Sequence, residues 1–333
     1  MTTVKRATSK DVAHLAGVAQ ATVSYVLNGK GSISAETQER VRRAASELNY
    51  YPNLAARAMR TSKTNRIAVV TGVQDYDASP VLSGAIDEAS KAGFLSEVYG
   101  LEPTIPGQGE RIVELVQSGQ VAGVLCFAQL DPDLMTKLEK VAPVIRPDTL
   151  SANMFNVGEL ADAAPIAVFV EKLAEQGWHR FLHIGGPSDD SVSASARKQI
   201  YLDTIGRLGL ESIGEIDGNW SAESGLTTVL ALPEQTHPLA IVAANDRIAV
   251  GVMRGAHLRG WRIPDDISVT GWNDTEIGAY LNPPLTTVSV NRFEAGRWEM
   301  RRLIAAINND DAPAPPANLN TIVWRGSTGS IIA

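Results

Sequence analysis

The sequence predicts an α/β protein in three parts: an N-terminal all-α head with a helix-turn-helix, a hinge helix, and two doubly wound lobes built on parallel sheets. Three observations predict this class. Short helical patterns with capping residues fill the first 50 residues, Pro52 interrupts them, and beyond Asn65 apolar runs alternate with amphipathic stretches. A chain of 333 residues is also too long for one compact core and suits several domains.

The charge of the chain is divided between its two ends. Residues 1–66 carry eleven Lys or Arg against four Asp or Glu, and the rest carries 19 against 33, so net charges of +7 and −14 make up the total of −7. A basic head on an acidic body indicates a head that meets a polyanion. The sequence holds no apolar run of membrane-spanning length, no secretory signal and one cysteine, so we expect a cytoplasmic protein without internal disulfides.

The head is predicted to contain three short helices. Thr8-Ser9-Lys10-Asp11 has the spacing of a capping box, and Gly17 can take the left-handed conformation that ends a helix. A second helix is predicted over 20–28, and Ser34 can cap a third helix that ends at Leu48. Two short helices across a tight turn, closed by a third, form a helix-turn-helix.

Such a motif presents the N-terminal side chains of its second helix to base edges in the major groove of DNA. Gln20 can read a base edge through its amide and Ala21 can contact a thymine methyl, whereas hydroxyls such as that of Thr22 set the register on the phosphates. A bundle with a merely solvated polar face is the alternative, but it does not explain the charge of +7. The candidate DNA contacts of the head are Thr8, Lys10, Gln20, Ala21, Thr22, Ser24, Tyr25, Asn28, Ser34, Thr37 and Tyr50.

A short hinge follows the head. Pro52 blocks continuation of the third helix, and Asn53 can cap a new helix that ends at Arg60. Its eight residues are fewer than the roughly 12–15 at which an isolated helix becomes marginally stable, so we expect it to order only against a partner. Paired with a second copy it would insert Met59 between base pairs from the minor groove; a flexible linker is the alternative. The candidate DNA contacts here are Asn53, Ala56, Arg57 and Met59.

The body alternates between strand and helix patterns, which predicts parallel sheets covered by helices on both faces. The predicted strands are Ile67–Thr71, Val121–Phe127, Phe181–Gly185, Leu239–Ala243, Ile267–Gly271 and Leu319–Trp324. The predicted helices are Pro80–Ala92, Gly109–Ser118, Gly158–Gln176, Ser191–Leu208 and Asp246–Arg259. We divide the chain into a head (1–52), a hinge helix and linker (53–64) and a body (65–333), whose lobes comprise about 65–152 plus 275–290 and about 156–272 plus 291–325.

Several stretches of the head and hinge follow one family pattern: Lys10-Asp11-Val12-Ala13, Ala16-Gly17-Val18, Ala21-Thr22-Val23-Ser24, Val26-Leu27-Asn28-Gly29, Tyr51-Pro52-Asn53 and Ala56-Arg57. With them the sequence resembles the LacI/GalR-type bacterial transcriptional regulators. Three departures change what this resemblance implies. Ala19 stands where the family usually has a serine N-cap, Tyr25 stands where an arginine is usual, and Met59 replaces a leucine wedge of similar volume.

The resemblance extends through the body. The matching stretches are Gly177-Trp178-His179-Arg180, His183-Ile184-Gly185-Gly186, Ala243-Ala244-Asn245-Asp246, Ile263-Pro264-Asp265-Asp266-Ile267-Ser268-Val269 and Pro283-Pro284-Leu285-Thr286-Thr287-Val288. They imply two lobes of the periplasmic-binding-protein-like type, with an effector bound between them. Ligands of open parallel sheets lie beyond the carboxyl ends of the strands, which agrees with this arrangement.

The resemblance implies roles for residues at the predicted strand ends. Arg197 is implied to contact effector hydroxyls, and its planar fork can hold two vicinal oxygens. Trp220 and Trp272 can stack on the apolar face of a sugar. Asn273 departs from the usual aspartate, which changes the hydroxyl pattern that the site reads. The candidate effector contacts are Thr71, Asp148, Ser193, Arg197, Trp220, Asn245, Trp272 and Asn273, and Phe127 and Arg292 also occupy pocket positions of the family.

Five of the candidate effector contacts also have a purely structural explanation. The tryptophans would pack in the core, Arg197 would form a surface salt bridge, and Asp148 would be a turn residue in a loop. Asn245 would cap the helix that follows it. Without the resemblance, core packing is the better interpretation of either tryptophan.

Enzyme and transport alternatives rest on weaker patterns. The sequence has no G-x-G-x-x-G, P-loop or G-x-S-x-G motif, and its five histidines show no metal-ligand spacing. Ser195 and Lys198 have the spacing of some acyl enzymes but lack the companion motifs. A solute-binding transport protein fits the body alone, and the helix-turn-helix argues against it. We expect no enzyme activity, cofactor or metal.

The patterns predict a cytoplasmic, sugar-responsive repressor that binds a palindromic double-stranded DNA operator as a homodimer, without a membrane partner. Dimerisation is expected through the body, at helices such as Pro80–Ala92 and Ala249–Arg259, and without a leucine heptad tail we expect no tetramer. Effector binding would separate the hinge helices and weaken DNA binding by linkage. A purine or nucleoside effector and a phosphoprotein co-regulator stay open as alternatives.

Overall fold

The computed structural model describes residues 7–27, 33–50, 64–72, 78–101, 107–128, 130–146, 163–188, 192–317 and 319–329. The chain forms two compact units that divide between Thr64 and Asn65. The first unit contains the helical head, and the second contains both lobes of the body.

Three helices build the head: α1 (Ser9–Ala16), α2 (Gln20–Leu27) and α3 (Ala35–Glu47). The predicted capping box is present, because the Thr8 side chain accepts from Asp11 N and the Asp11 side chain accepts from Thr8 N. Gly17 ends α1 with a φ of 64°, and Ser34 caps α3, as the sequence predicts. One buried core joins the three helices: Val12, Ala13, Ala16, Val23, Val26, Val41, Ala44 and Ala45.

The first lobe of the body is a four-stranded parallel sheet in the order β2-β1-β3-β4. Its elements are β1 (Arg66–Gly72), α4 (Ala78–Lys91), β2 (Leu95–Leu101), α5 (Gln108–Gln117), β3 (Val124–Cys126), α6 (Pro132–Glu139) and β4 (Val144–Ile145). Ala68 and Val70 pack against α5, and Ile67 and Val69 pack against α4. Alternate side chains of β1 therefore bury both faces of the sheet under helices.

The second lobe repeats this plan with a parallel sheet in the order β6-β5-β7-β8. Its elements are α7 (Ala164–Glu175), β5 (Arg180–Gly185), α8 (Val192–Leu208), β6 (Glu211–Asp217), α9 (Ala222–Ala231), β7 (Leu239–Ala243), α10 (Asp246–Leu258), β8 (Ile267–Thr270) and α11 (Glu276–Ala279). Leu182 packs with α10 on one face, and Phe181 packs with α7 and α8 on the other. The carboxyl ends of four strands thus meet at one edge.

The last part of the chain crosses between the lobes differently from the prediction. β9 (Thr287–Val290) pairs antiparallel with β10 (Asn320–Val323), and Val288 joins the core of the second lobe. α12 (Arg292–Asn308) packs in the first lobe, where Met300 and Leu303 join the core around Ile67. The predicted assignment of 275–290 to the first lobe and of all of 291–325 to the second is therefore corrected. The local sequence of the two segments does not indicate which lobe covers them, and only their long-range packing distinguishes them.

The predicted strands and helices of the body are present, with ends that differ by a few residues. The predicted strand Val121–Phe127 is shortened to β3, and the predicted helix Gly158–Gln176 is described from Ala164 onward. The apolar and amphipathic patterns did not predict the strands β2, β4, β6 and β9 or the helices α6, α9, α11 and α12. β2, β4 and β6 complete the two parallel sheets, and β9 pairs with β10 in a separate two-stranded sheet, so the fold class is unchanged.

Candidate DNA-binding surface and effector site

The exposed face of α2 carries the residues predicted to read DNA. Val23 and Val26 are buried in the head core, which leaves Gln20, Ala21 and Tyr25 on the exposed side. Tyr25 has 52% of its surface exposed although it is large and aromatic. An exposed N-terminal turn on the second helix of a helix-turn-helix is the part that enters the major groove.

Hydrogen bonds inside the head orient two of the predicted DNA contacts. Gln20 Nε2 donates to Ser9 Oγ at 2.7 Å, so α1 fixes the amide at the start of α2. The Thr8 hydroxyl donates to Asp11 Oδ2 at 2.7 Å within the capping box. Both side chains lie at helix N-termini, where backbone N–H groups and the helix dipole favour a phosphate.

The remaining predicted DNA contacts differ in exposure. Ser34 Oγ donates to Thr37 Oγ1 at 3.0 Å, so these two hydroxyls engage each other at the start of α3. The exposed candidates are Lys10 and Ser34, and the half-buried ones are Thr22, Ser24, Thr37 and Tyr50. The candidates outside the described residues are Asn28, Asn53, Ala56, Arg57, Met59 and, in the effector set, Asp148.

Arg197 is buried at the carboxyl ends of the second-lobe strands. Its guanidinium lies 4.0 Å from the ring centroid of Trp272, and its Nη1 donates to Ala244 O at 2.6 Å. Trp272 follows β8 and Ala244 follows β7, so one side chain bridges the ends of two strands. Arg197 is only 9% exposed, which rules out the surface salt bridge considered from the sequence.

The two candidate tryptophans differ in burial. Trp272 is 2% exposed and belongs to the core of the second lobe, so the core-packing alternative is correct for it. Its ring also contacts the guanidinium of Arg197. Trp220 is half buried, with a φ of 64°. Its indole lies against Gly186, where a Cβ would come within 2.2 Å of the ring. Trp220 therefore keeps an accessible part for stacking, which Trp272 largely lacks.

Asn245 is both a helix cap and a support for Trp220. Its Oδ1 accepts from Ile248 N at 2.7 Å at the start of α10, and its Nδ2 donates to Trp220 O at 3.2 Å. The cap alternative for Asn245 is thus confirmed. The same amide also fixes the backbone of a predicted sugar-stacking residue.

A strained turn carries Asn273. Asn273 and Asp274 have φ values of 118° and 51°, in a region that residues with a Cβ rarely adopt. Asn273 N donates to Val288 O at 2.9 Å, and Arg325 Nη2 donates to Asp274 Oδ1 at 2.7 Å. Contacts from β9 and from the chain after β10 therefore hold this turn at the edge of the sheet.

The buried carboxylate of Asp246 anchors the next residue of the turn. It accepts from Thr275 N at 2.6 Å, from the Thr275 hydroxyl at 2.9 Å and from the Thr287 hydroxyl at 2.5 Å. Burial raises the pKa of Asp246, and the bonds from Thr287 and Thr275 lower it in part. No pattern in the sequence indicates this role of Asp246, because Thr275 and Thr287 lie 29 and 41 residues away along the chain.

Arg292, the first residue of α12, reaches back to this turn. Its Nη2 donates to Asn273 Oδ1 at 2.5 Å. Because α12 packs in the first lobe and Asn273 follows β8 of the second, the bond joins the two lobes at the candidate site. The sequence placed Arg292 among the family's pocket positions but gave it no role.

Two further candidates lie on elements that face this edge. Ser193 is half buried in the first turn of α8, four residues before Arg197 and so on the same side of the helix. Thr71 is 8% exposed near the carboxyl end of β1 in the first lobe, and its hydroxyl donates to Gly72 O at 3.4 Å.

A buried histidine fixes the helix that carries Arg197. His183 on β5 places Nδ1 2.8 Å from Val242 O, and its ring stacks on Tyr201 of α8 with centroids 5.2 Å apart. The Tyr201 hydroxyl shares a 2.8 Å hydrogen bond with Ser212 Oγ on β6. Burial lowers the pKa of His183 to about 4, so its ring is neutral at pH 7. Composition gave no signal for this role.

The described residues give little support for a metal site, a reactive thiol or a membrane-spanning helix. They contain no group of three or more His, Cys, Asp and Glu side chains placed to hold a metal ion. Burial raises the pKa of the Cys126 thiol to about 11, which keeps it protonated and unreactive at pH 7. No described helix has the length and apolar character that crossing a bilayer requires.

A helix-turn-helix head, joined to two parallel-sheet lobes with polar residues at the strand ends, defines a class of ligand-responsive DNA-binding regulators. A family model described as bacterial regulatory proteins, lacI family, matches residues 8–53. A second model, a periplasmic binding protein-like domain, matches residues 170–328.

Characterised relatives align along most of the chain. The lactose operon repressor of Escherichia coli is 31% identical over 90% of this chain and 85% of its own length. The ribose operon repressor of Haemophilus influenzae is 29% identical over 95% of each chain, and the HTH-type transcriptional repressor PurR of Aliivibrio fischeri is 29% identical over 92% and 93%.

Solved structures agree with the sequence relatives. The lac repressor dimer bound to operator and the anti-inducer ONPF superposes with a TM-score of 0.80, at 28% identity over 98% of this chain and 100% of that one. The complex of the transcriptional regulator CelR with cellobiose gives 0.63, at 25% identity over 97% and 100%. The chain belongs to the lacI family of bacterial regulatory proteins. It is a transcriptional repressor with a ligand-binding domain and not an enzyme. The two family models and the match to the lac repressor structure confirm the predicted family and fold class.

Proposed function

We propose that this repressor acts in the cytoplasm as a homodimer on a palindromic operator, and that a sugar effector bound between the lobes controls its DNA affinity. The observation that carries the proposal is the cluster of Arg197, Trp272, Asn273 and Arg292 at the strand ends, in a chain that also exposes the recognition face of α2. A solute-binding protein would explain the cluster but not the head.

The head supplies the DNA contacts. The amide of Gln20 and the methyl of Ala21 lie on the exposed side of α2, where they can meet base edges. Tyr25 replaces the arginine usual in the family, so its ring and hydroxyl take the place of a bidentate guanine contact. Lys10 and the hydroxyls around the helix N-termini hold phosphates and set the register.

The hinge transmits the effector signal in this proposal. Residues 53–60 lie outside the described residues, and their role as paired minor-groove helices stays a prediction. If effector binding disfavours the lobe arrangement in which two hinges pair, it weakens operator binding. Linkage then requires operator binding to weaken effector binding by the same factor.

A sugar is favoured as effector because the guanidinium of Arg197 can bind neighbouring oxygens and the half-buried indole of Trp220 offers an apolar face. The CelR relative was solved with cellobiose, which fits the same class. The PurR relative keeps a purine as the second candidate, since an indole also stacks on a base.

Dimerisation through the body is supported by apolar side chains on the two helices predicted for it. Ile86 on α4 is 40% exposed and Leu258 at the end of α10 is 51% exposed. A related repressor was solved as a dimer on operator DNA. Two heads in one dimer suit the two half-sites of a palindrome.

Two measurements test this function. Selection of bound duplexes from a random DNA pool should enrich a palindrome, and a thermal-shift screen of sugars, purines and nucleosides should raise the melting temperature with a sugar. Pools without an enriched palindrome would contradict operator binding, and a shift only with purines would move the effector to the second candidate. A turnover assay on any hit should show no reaction.

The variant Arg197→Ala should abolish the effector response and leave operator affinity near that of the wild type, because its guanidinium lies at the strand ends of the body. Arg207→Ala is the matched control. It removes an exposed arginine of the same helix α8, paired with Glu171, and should change neither property. Loss of operator binding together with loss of folding in Arg197→Ala would make Arg197 structural instead.

A further inference from the structure

The strand β2 forms an open edge of the first-lobe sheet. It pairs with β1 in parallel from Leu95 to Leu101 without a shift in register, and among the described strands it has no second neighbour. An open edge exposes a row of backbone N–H and C=O groups, which proteins usually protect with a bulge, a proline, a lysine or a covering segment. β2 has no bulge, proline or lysine, and its one charged side chain, Glu97, is paired with Arg66 of β1 and with the hydroxyl of Tyr99. Its edge can therefore accept a further strand.

The hydrogen bonds of β2 define which of its backbone groups point outward. Leu95 N donates to Asn65 O at 2.7 Å, toward β1. Because successive backbone groups of a strand point to opposite sides, every second residue after Leu95 also faces β1. The N–H and C=O groups of Ser96, Val98 and Gly100 therefore face the open edge. Gly100 is exposed, and a glycine within a strand lets another backbone approach closely.

A groove runs beside this edge, between β2 and α5. It has a volume of about 530 Å³, which lies in the range of ligand-binding clefts. Its apolar lining comes from β2 and α5: Tyr99, Leu101, Ile112 and Leu115. Among the described residues that line it, none is a candidate effector or DNA contact. A groove with a strand edge on one side and a helix on the other suits an extended peptide, whose backbone pairs with the strand and whose alternate side chains enter the groove.

Two charged side chains of α5 stand on the rim of the groove. Arg111 and Glu114 are exposed and line the groove, and within the described residues neither forms an ion pair. They lie three residues apart, which places them on one side of the helix and about 4.5 Å apart along its axis. Alternate residues of an extended peptide are about 6.6 Å apart on one face, within reach of both side chains. An acidic and a basic residue two positions apart would therefore complement the rim.

We propose that this edge and groove bind an extended peptide of another protein by strand addition. The peptide pairs with the outward backbone groups of β2, fills the groove with apolar side chains, and places an acidic residue against Arg111 and a basic residue against Glu114. The first lobe thereby receives a protein partner at a site separate from the proposed effector site and from the DNA-binding head.

A phage-displayed library of random peptides, selected on the full-length chain, supplies the probe. The enriched peptides should share alternating apolar residues and should carry an acidic and a basic residue two positions apart. Fluorescence polarisation then measures the affinity of labelled synthetic copies for the chain. A selection that enriches no peptide of this pattern would overturn the inference and leave the proposed function standing, because operator and effector binding do not depend on the groove.

The variant Val98→Pro tests strand addition, because it removes an outward N–H group at a strand edge, where proline is tolerated, and keeps the hydrogen bonds to β1. The affinity for the selected peptides should fall at least about 10-fold. Val98→Ala is the matched control: it keeps the N–H group and trims a side chain that lies beside Val69, on the face that packs against α4. It should change the affinity by less than about 2-fold. Equal affinities in Val98→Pro and the wild type would overturn the inference.

Amide hydrogen exchange at single-residue resolution gives a second readout of strand addition. When a selected peptide binds, exchange should slow at Ser96, Val98 and Gly100. It should stay unchanged at Glu97 and Tyr99, whose N–H groups already pair with β1. A peptide held by side-chain contacts alone would not produce this alternation, so equal changes at all five amides would contradict strand addition.

Charge variants keep the test decisive if the melting temperature and operator affinity of Val98→Pro show that it does not fold. Arg111→Glu should lower the affinity for the selected peptides about 3- to 10-fold, and Arg111→Glu with Glu114→Arg should prefer a peptide whose acidic and basic residues are exchanged. Lys137→Glu is the matched control: it makes the same change of charge at an exposed side chain of α6, outside the groove, and should leave the affinity unchanged. No gain for the exchanged peptide in the double variant would overturn the inference.

A second copy of the chain is the alternative occupant of the edge, since two β2 strands could pair with each other. Sedimentation of the chain without peptide distinguishes the two occupants. The oligomeric state of Val98→Pro should equal that of the wild type, because the edge is reserved for a peptide. Dissociation of the variant into monomers would assign the edge to a second copy and overturn the inference.

Discussion

The head and the body are held by hydrogen bonds of very different reach along the chain. In the head, Ser34 Oγ donates to Thr37 Oγ1, three residues later, and Gln20 Nε2 donates to Ser9 Oγ, 11 residues away. In the body, Trp178 Nε1 donates to Gly329 O, 151 residues away, at 2.6 Å. Closing a long loop costs entropy that only the rest of a folded lobe offsets. A destabilising substitution in the body should therefore lower the stability of the whole body, whereas one in the head should lower the stability of the head alone.

The largest effect is expected where two helices of the body cross in backbone contact. A Cβ at Gly251 of α10 would lie 1.8 Å from Ala222 O at the start of α9. The helices can separate only by opening the core, so Gly251→Ala should lower the free energy of unfolding by about 4 kcal/mol or more in denaturant titrations.

Gly206→Ala is the control for this change. Gly206 lies in α8, where a Cβ would meet no atom within 4 Å. The free energy of unfolding should rise by about 0.5–1 kcal/mol, because alanine loses less backbone entropy in a helix than glycine. Similar decreases in the free energy of unfolding in both variants would show that the close contact between α9 and α10 is not the reason why position 251 requires glycine.

The next effect depends on pH. The pKa of His183 is about 4 in the folded body and about 6.5 in an unfolded chain. The unfolded state thus takes up a proton at a higher pH, so this contribution to stability is complete above about pH 6.5 and is lost as the pH falls toward 4. The total loss approaches about 3 kcal/mol.

Unfolding of wild type and His183→Gln in urea at several pH values measures this loss. Glutamine can still donate to Val242 O but does not titrate, so the variant should lose stability less steeply between pH 6.5 and 4. Parallel slopes in the two proteins would mean that another group carries the acid sensitivity of the body.

A smaller effect is expected from a single hydroxyl of the turn that carries Asn273. Thr287→Val removes a donor to the buried carboxylate of Asp246 and should lower the free energy of unfolding by about 2 kcal/mol. Thr270→Val is isosteric and removes a hydroxyl that is buried without a hydrogen-bond partner in the described part of the chain. It should be neutral or stabilising, and a loss equal to that of Thr287→Val would reject the anchoring role of Asp246.

The sequence predicts what depends on neighbours in the chain. The capping box at Thr8, the cap at Ser34 and the C-terminal residue Gly17 are local patterns, and all three are present. Buried strands such as Leu239–Ala243 are continuous apolar runs, and their boundaries agree with the prediction. The strand β2 was missed because it lies at a sheet edge, where exposed and half-buried residues break up the apolar run.

What the sequence does not predict depends on distant partners. Arg197 and Asn273 were placed at strand ends, but the contacts that orient them come from Trp272 and from Arg292 of α12, an unpredicted helix in a segment assigned to the wrong lobe. Apolar periodicity can show that a helix has a buried face but not which sheet covers that face. The contacts that orient Arg197 and Asn273 can therefore be known only once the path of the chain between the two lobes is known.

The smallest effect is expected in the head, at the start of the recognition helix. Ala19 is the residue before α2, at the N-cap position. Its carbonyl accepts from Thr22 N at 2.9 Å, but its methyl side chain offers no second acceptor to the N–H groups of the first turn. Ala19→Ser should add a cap and stabilise the head by about 0.5–1 kcal/mol. Hydrogen exchange of the whole chain should show slower exchange over residues 9–27 and unchanged exchange over β5, because contacts of the head are local. Slower exchange in β5 as well would show that head and body unfold as one unit.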